Sequence, residues 1–577
     1  MTRSRSRSPR TPSCAPRRSA GPEDTVIDAA VAAPAQEERP ATRLGLPIVI
    51  LAAAQFVMVL DSSVMNVSIS QIVKDLHTTI QGVQLAITAY TLVMAALMLA
   101  GAKLGDIYGR DRIFAIGLAV YGLGSLTTAI SPSLGVLLFG WSFVEGLGAA
   151  MVMPAIVSLI AGTYAGKQRA AAFGIVGGIA GAAIAAGPLI GGWVTTELSW
   201  RYVFAGEVVI VAVILLMRRH LKPFPAADPR PKLDFMGVAL SATGLGLVVF
   251  GVLKSSSWGL IEPRGALTIN GTEITPFGFS VVPFVILAGL GFLAAFAAWE
   301  ERRERSGLDV LLDRALLRIE QLKAGMSTLL MQQLILLGIF FVLPVYLQVV
   351  LGLNAFDTGK RLFPMSVTMF IAAMAGPRLA ARFAPKRVVQ VGLLALAAAS
   401  ILLVGTINVE LNEADFAIAL AVFGIGAGLM LSQLGNVIMS SVDPSKTNET
   451  GGLQGTAQNL GASLGTALIG AVLIASLSSN LITRLEQNPA VPAETRQQVE
   501  QLASKGIPIV SVDQAQAALT DAGVPQDQAE AIAGDYGKAQ LHGLKRAIGA
   551  VAIFAHLLDK GTIDQGEFDR IKAQALA

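Results

Sequence analysis

The sequence predicts an all-α integral membrane protein of about fourteen transmembrane helices: two six-helix bundles in pseudo-two-fold parallel repeat, plus two intervening helices. Three observations carry this expectation. Of the 577 residues 53% are hydrophobic and only 15% charged, whereas an average soluble domain carries roughly 25% charged residues. The charges are bunched, and between them lie apolar stretches of the roughly 20 residues needed to cross a hydrocarbon core about 30 Å thick. Finally, the two halves of the chain resemble each other at a nearly constant offset.

Residues 1–43 open the chain with MTRSRSRSPRTPSCAPRRSAG, rich in Arg, Ser and Pro and unable to bury a core. No apolar stretch follows the basic start, so it reads as a disordered cytoplasmic tail and not as a signal peptide. Spans follow at roughly 45–70, 83–104, 113–131, 134–165, 170–194 and 203–217, the first half. Two more, at roughly 235–253 and 277–298, lie in the linker. The second half holds spans at roughly 322–350, 361–381, 388–407, 414–439, 450–477 and 541–558. Expected domains are therefore 44–221, a linker with two helices at 222–318, and 319–558, the last including a polar insert at 479–540. The final span is short, and Lys545 and Arg546 must snorkel for it to cross. Residues 559–577 form a short cytoplasmic helical tail suited to a protein partner.

Lys and Arg set the orientation. Lys103, Arg110, Arg112, Lys167, Arg169, Arg218, Arg219, Arg302, Arg303, Arg305, Arg378, Arg382, Lys386, Arg387 and Lys446 all fall on one side. The other side holds few: Lys74, Arg201, Lys254, Arg264, Lys360 and Arg361. The first side is cytoplasmic, and an even number of spans puts both termini there. The formal net charge of +4 fits this topology and gives no reason to expect nucleic acid.

The repeat is visible in three segments in register. AGAKLGDIYGRDRIF (100–114) aligns with AGPRLAARFAPKRVV (375–389) at an offset of 275, and GLGAAM (146–151) with GIGAGL (424–429) at 278. At that second offset Gly174, Gly177, Gly187 and Gly192 fall on Gly452, Gly455, Gly465 and Gly470. Parallel repeats of this kind rock about a central site in one large class of secondary transporters.

Chemistry-bearing residues are few. The single cysteine, Cys14, excludes an intramolecular disulfide, and no two of the four histidines stand four residues apart, so no metal site is expected. No GxxxxGK[ST] loop is present, so neither a nucleotide nor any other cofactor is expected, and the chain does not read as an enzyme. Carboxylates within apolar spans are costly and therefore functional candidates. Asp61, Glu145 and Glu207 are the three, expected to carry protons, with Asp61 first.

Several segments resemble the major facilitator superfamily and, within it, the fourteen-helix drug:proton antiporters. LDSSVMNVSIS (60–70) is similar to the first-helix signature Leu-Asp-x-Thr-x-x-Asn-x-Ala-Leu-Pro, with Asp61 and Asn66 in place. The loop after the second span keeps Leu104, Gly105, Asp106, Gly109 and Arg110 of Gly-x-Leu-[Ala/Gly]-Asp-Arg-x-Gly-Arg, while Ala102, Ile107 and Asp111 depart. The resemblance gives Asp106, Gly109 and Arg110 a gating role at the seam between halves. GIVGGIAGAAIAAGPLIGGWV (174–194) resembles the fifth-helix signature of exporters through Gly174, Gly187, Pro188, Gly191 and Gly192. Gly187, Pro188, Gly191 and Gly192 are accordingly expected to shape the conformational change. The family's fourth-helix arginine is replaced by Ser142, with Glu145 one turn away, and Glu207 stands where the family has Asn. An Asp–Arg proton pair is therefore not expected.

What the resemblance implies is proton-driven export of lipophilic or cationic drug-like compounds from the cytoplasm, across the bilayer of a bacterial plasma membrane. Asn66, Tyr90, Gln332, Gln348, Gln433 and Gln458 are the expected substrate-binding residues. Export of one endogenous metabolite, an antibiotic or siderophore, is an alternative within the same class. A non-transporting membrane sensor is an alternative outside it.

Overall fold

The computed structural model describes residues 45–560 apart from 165, 222, 224–229, 264–267, 270–271, 384, 440, 444–445, 490 and 505–506. The expected tail 1–43, and 559–577 beyond residue 560, lie outside the described residues. Hydrocarbon offers the backbone no partner, so each spanning segment must satisfy its own N–H and C=O groups, and apolar runs of this length become helices.

In chain order these are α1 (Leu46–Val67), the short α2 (Ile69–Asp75), α3 (Ile80–Tyr108), α4 (Arg110–Ala129), α5 (Leu134–Thr163), α6 (Gly166–Glu197) and α7 (Arg201–Met217). Then come α8 (Phe235–Trp258) and α9 (Val282–Arg305), with a two-residue antiparallel pairing of Thr268–Ile269 and Thr272–Glu273 between them. The second half holds α10 (Glu320–Val350), α11 (Ala355–Arg382), α12 (Pro385–Thr406), α13 (Glu413–Met439) and α14 (Thr447–Gln487). It ends with the short α15 (Ala493–Ser504) and α16 (Val512–Asp521), then α17 (Gln526–Lys560). Side chains start several of them: Thr79 accepts from the Gly82 N–H at 3.1 Å and Asn354 from the Asp357 N–H at 2.7 Å. Gly109, at φ 98°, makes the sharp turn from α3 into α4, a conformation that suits a residue without Cβ.

Among the described residues, twelve helices are long and apolar enough to cross a membrane. The 17-residue α7 and the end of the 35-residue α17 lie at two further expected spans and are not among the twelve. The last span differs in form from the expectation. It is the end of a helix that begins at Gln526, well inside the polar insert. Lys545 donates from Nζ to Asn408 Oδ1 at 3.1 Å, just past the end of α12.

The halves meet in the pattern a two-fold repeat requires. The second span of each half packs along the fifth span of the other, α3 on α14 and α11 on α6. The inserted pair α8 and α9 packs over one of these seams, with α8 against both α3 and α14. These two helices are peripheral: only 11% of the α9 span is buried, against 78% for α10. Their large apolar side chains face outward, as lipid contact demands.

Candidate functional site

The fifth-span glycines set the approach of α6 to its neighbours. A Cβ on Gly187 would stand 2.2 Å from Ser63 Oγ, and one on Gly191 would stand 2.7 Å from Val64 Cγ2, both on α1. One on Gly192 would stand 2.6 Å from the Ala355 carbonyl of α11, and one on Gly359 of α11 would stand 2.1 Å from the Pro188 carbonyl. Helix α6 is thus wedged between the halves through its small residues.

Beside this wedge α1 carries Asp61, fully buried. The middle of α5 widens into a π-helical segment, Leu138–Glu145, which brings Trp141 and Glu145 to the same interior face. Such segments recur at functional sites. Gly124 of α4 makes room for it, since a Cβ there would stand 2.6 Å from the Glu145 Cβ. Helix α7 supplies Glu207, also buried. Carboxylate oxygens of Asp61, Glu145 and Glu207 all lie within 4.8 Å of one another. Each acid is legible in the sequence as a separate candidate; the structure brings all three together.

Their partners are neutral. The Trp141 indole N–H donates to Asp61 Oδ1 at 2.8 Å and Oδ2 at 3.0 Å. Tyr90 of α3 stacks flat on Trp141, with ring centroids 4.7 Å apart and planes 4° from parallel. Glu207 Oε2 accepts from Ser125 Oγ at 3.1 Å and from the Tyr121 hydroxyl at 3.4 Å, both on α4. Both Glu145 oxygens and Glu207 Oε1 are buried with no hydrogen-bond partner. Among the described residues no Lys or Arg pairs with any of the three. Arg201, six residues before Glu207 on α7, is committed elsewhere: it meets Asp75 Oδ2 at 3.2 Å and donates to the Ser131 carbonyl at 2.9 Å.

Two charges 4.8 Å apart repel by about 3.5 kcal/mol at an effective dielectric near 20. Three ionised carboxylates therefore cannot coexist here without a cation. The indole N–H points a donor at Asp61, an arrangement that opposes a cation on that side of the carboxylate.

The remaining expected residues divide. Tyr90 joins the acid cluster through Trp141. Asn66 is buried and donates from Nδ2 to the Ser62 carbonyl at 2.7 Å. Gln332 is buried with neither amide atom paired, Gln433 is buried with Oε1 unpaired, and Gln458 is half-buried. Gln348 is occupied: Oε1 accepts from the Ser70 backbone and hydroxyl at 3.2 and 2.6 Å, and Nε2 donates to the Val67 carbonyl at 2.6 Å. It ties the ends of α1 and α10 together. Asp106 pairs with Arg110 at 3.6 Å, and Arg110 donates to the Ser158 carbonyl of α5 at 3.2 Å.

The family model described as Major Facilitator Superfamily matches residues 51–466. The chain belongs to the Major Facilitator Superfamily. It is 30% identical to the probable actinorhodin transporter of Streptomyces coelicolor, over 74% of this chain and 72% of that one. It is 28% identical to the tetracenomycin C resistance and export protein of Streptomyces glaucescens, over 74% and 76%. The multidrug efflux pump LfrA of Mycolicibacterium smegmatis is 28% identical over 77% and 83%. The solved structure of a bacterial homologue of the human lysosomal transporter Spinster shares the fold, with a TM-score of 0.52 at 14% identity, covering 89% of this chain and 96% of that one.

As a Major Facilitator Superfamily transporter, the chain is a multi-pass membrane protein with the all-helical architecture anticipated from its repeat. Sequence reasoning missed Trp141, Tyr121 and Ser125. For Trp141 a signal was present: a buried indole N–H needs an acceptor, and in WSFVEG the tryptophan stands one turn before Glu145.

Proposed function

We propose that this chain exports lipophilic or cationic small molecules from the cytoplasm in exchange for protons. The observation that carries the reading is the convergence of Asp61, Glu145 and Glu207 within 4.8 Å, buried and without a cation. Such a site accommodates protons, and the charge it gains when they leave has nowhere else to be balanced. The names of the relatives support drug or antibiotic export, and the glycine-proline wedge of α6 supports export over import. The basic loops support cytoplasmic termini in a bacterial plasma membrane. Residues 44–221 and 319–558 then act as the two rocking units, with the insert 479–540 outside.

The unpaired amide of Gln332 and the unpaired Oε1 of Gln433, in the half without the acids, suit hydrogen bonds to substrate. Two relatives are each named for one compound, actinorhodin and tetracenomycin C, which favours a second reading: one endogenous metabolite as the natural cargo. The test is reconstitution. In proteoliposomes an ethidium gradient should drive proton movement in the opposite direction. No proton movement with ethidium or with any member of an antibiotic panel would contradict the proposal.

A further inference from the structure

Trp141 occupies the position a cation would take. It is 1% exposed, its ring is clamped by Tyr90, and its N–H faces both Asp61 oxygens nearly equally, at 2.8 and 3.0 Å. Two near-equal contacts from one donor match an ionised carboxylate, whose oxygens are equivalent acceptors. Protonation of Asp61 turns one oxygen into a hydroxyl and weakens the contact. An indole cannot lose or gain a proton in the working range, so it favours the charged form without fixing a permanent ion pair. An arginine there would hold Asp61 ionised far more firmly.

The groups facing this contact are all accounted for. Tyr90 comes from α3, Tyr121 from α4, Glu145 from α5 and Glu207 from α7. Helix α6 approaches α1 through Gly187 and Gly191, and from Gly174 to Val194 its sequence holds no titratable residue. Glu145 and Glu207 each present an unpaired oxygen within the cluster, so a proton leaving Asp61 has carboxyl acceptors within 4.8 Å.

We propose that Trp141 is the positioning residue for proton exchange at Asp61: its N–H holds the ionised carboxylate and lets go when the proton arrives. The inference rests on the reading of the acid cluster as the proton site. It makes the indole a reporter of the protonation state, independent of any substrate.

Two measurements test it. In protein labelled at the indole nitrogens, the chain gives five tryptophan N–H signals, and that of Trp141 is assigned by its loss in Trp141→Phe. Its resonance should move with pH in the native protein and stay fixed in Asp61→Asn. A Trp141 signal that does not titrate between about pH 4 and 9, or that titrates unchanged in Asp61→Asn, overturns the proposal. The second uses benzothienylalanine at position 141, which keeps the bicyclic ring and the stack but has no N–H. The pH profile of ethidium-coupled proton flux should shift to higher pH by about one unit, the worth of a hydrogen bond to a charged group. An unshifted profile overturns the role of Trp141 and leaves the coupling intact. Absence of flux in the native protein contradicts instead the function proposed above, while the indole titration still decides the role of Trp141.

Discussion

Lys103 Nζ, at the end of α3, donates to the carbonyl of Val310 at 3.0 Å. That single contact joins the first half to the segment that follows α9. The same segment is fastened at two more points. Glu300 of α9 accepts from the Leu311 and Leu312 N–H groups at 2.9 and 3.2 Å. Asp313 meets Lys446 Nζ at 2.6 Å, just before α14, and its own N–H donates to Glu449. A four-residue strap, 310–313, thereby ties α3, α9 and α14 across the seam.

Loosening the strap should open the basic end of the bundle. With Cys14→Ser as background, a cysteine at position 102, buried where α3 meets Gly452, reports it. Asp313→Asn should raise its labelling rate several-fold. The Lys446 ammonium holds the Asp313 carboxyl below its ordinary 3.8, and Asp313 holds Lys446 above its ordinary 10.5. The carboxylate's contribution is present above 3.8 and lost as pH falls through its lower native value. The ammonium's is present below 10.5 and lost as pH rises through its higher native value. The contact thus survives the whole interval between, so Asp313→Asn should raise the labelling rate above that of the native chain both at about pH 7.5 and at about pH 5.

Gly192 and Gly359 bring backbone against backbone, where no side chain can yield. Gly192→Ala should force α6 from α11 and lower the melting temperature, at a cost of about 1–3 kcal/mol. Gly187→Ala meets the Ser63 hydroxyl and also the Ser63 Cβ, which the α1 backbone holds in place, and should push α6 from α1 at a similar cost. Thermal unfolding of the two purified variants checks this, and a melting temperature left unchanged by either would contradict the packing described.

Asp106 and Arg110 pair across the turn between α3 and α4, and Arg110 reaches on to α5. Asp106→Asn should slow ethidium turnover several-fold while equilibrium ethidium binding stays within about two-fold. Turnover equal to that of the native chain would remove the gating role.

Much of this was legible beforehand. The apolar runs, the repeat and the acids inside spans are properties of short windows, and a bilayer makes such windows decisive. What depends on how distant helices meet was not. Asp61, Glu145 and Glu207 are spaced by 84 and 62 residues, and nothing local says that their oxygens converge. Gln348 reads as a cavity amide until its carbonyl and amine are seen spent on Ser70 and Val67. Arg201 lies only six residues from Glu207 in the sequence, yet Asp75 claims it. The extent of α17 was hidden because Lys538, Lys545 and Arg546 break the hydropathy of a helix that the backbone does not break.

The most direct test of the central claim is proton movement driven by an ethidium gradient in proteoliposomes of the native chain, Asp61→Asn and Glu145→Gln. The native chain should move protons against the ethidium flow. Asp61→Asn should abolish that movement, and Glu145→Gln should cut it at least ten-fold, with ethidium binding and gradient-free exchange retained in both. Full uphill ethidium transport by both variants would contradict the assignment of the buried acid cluster as the proton carrier.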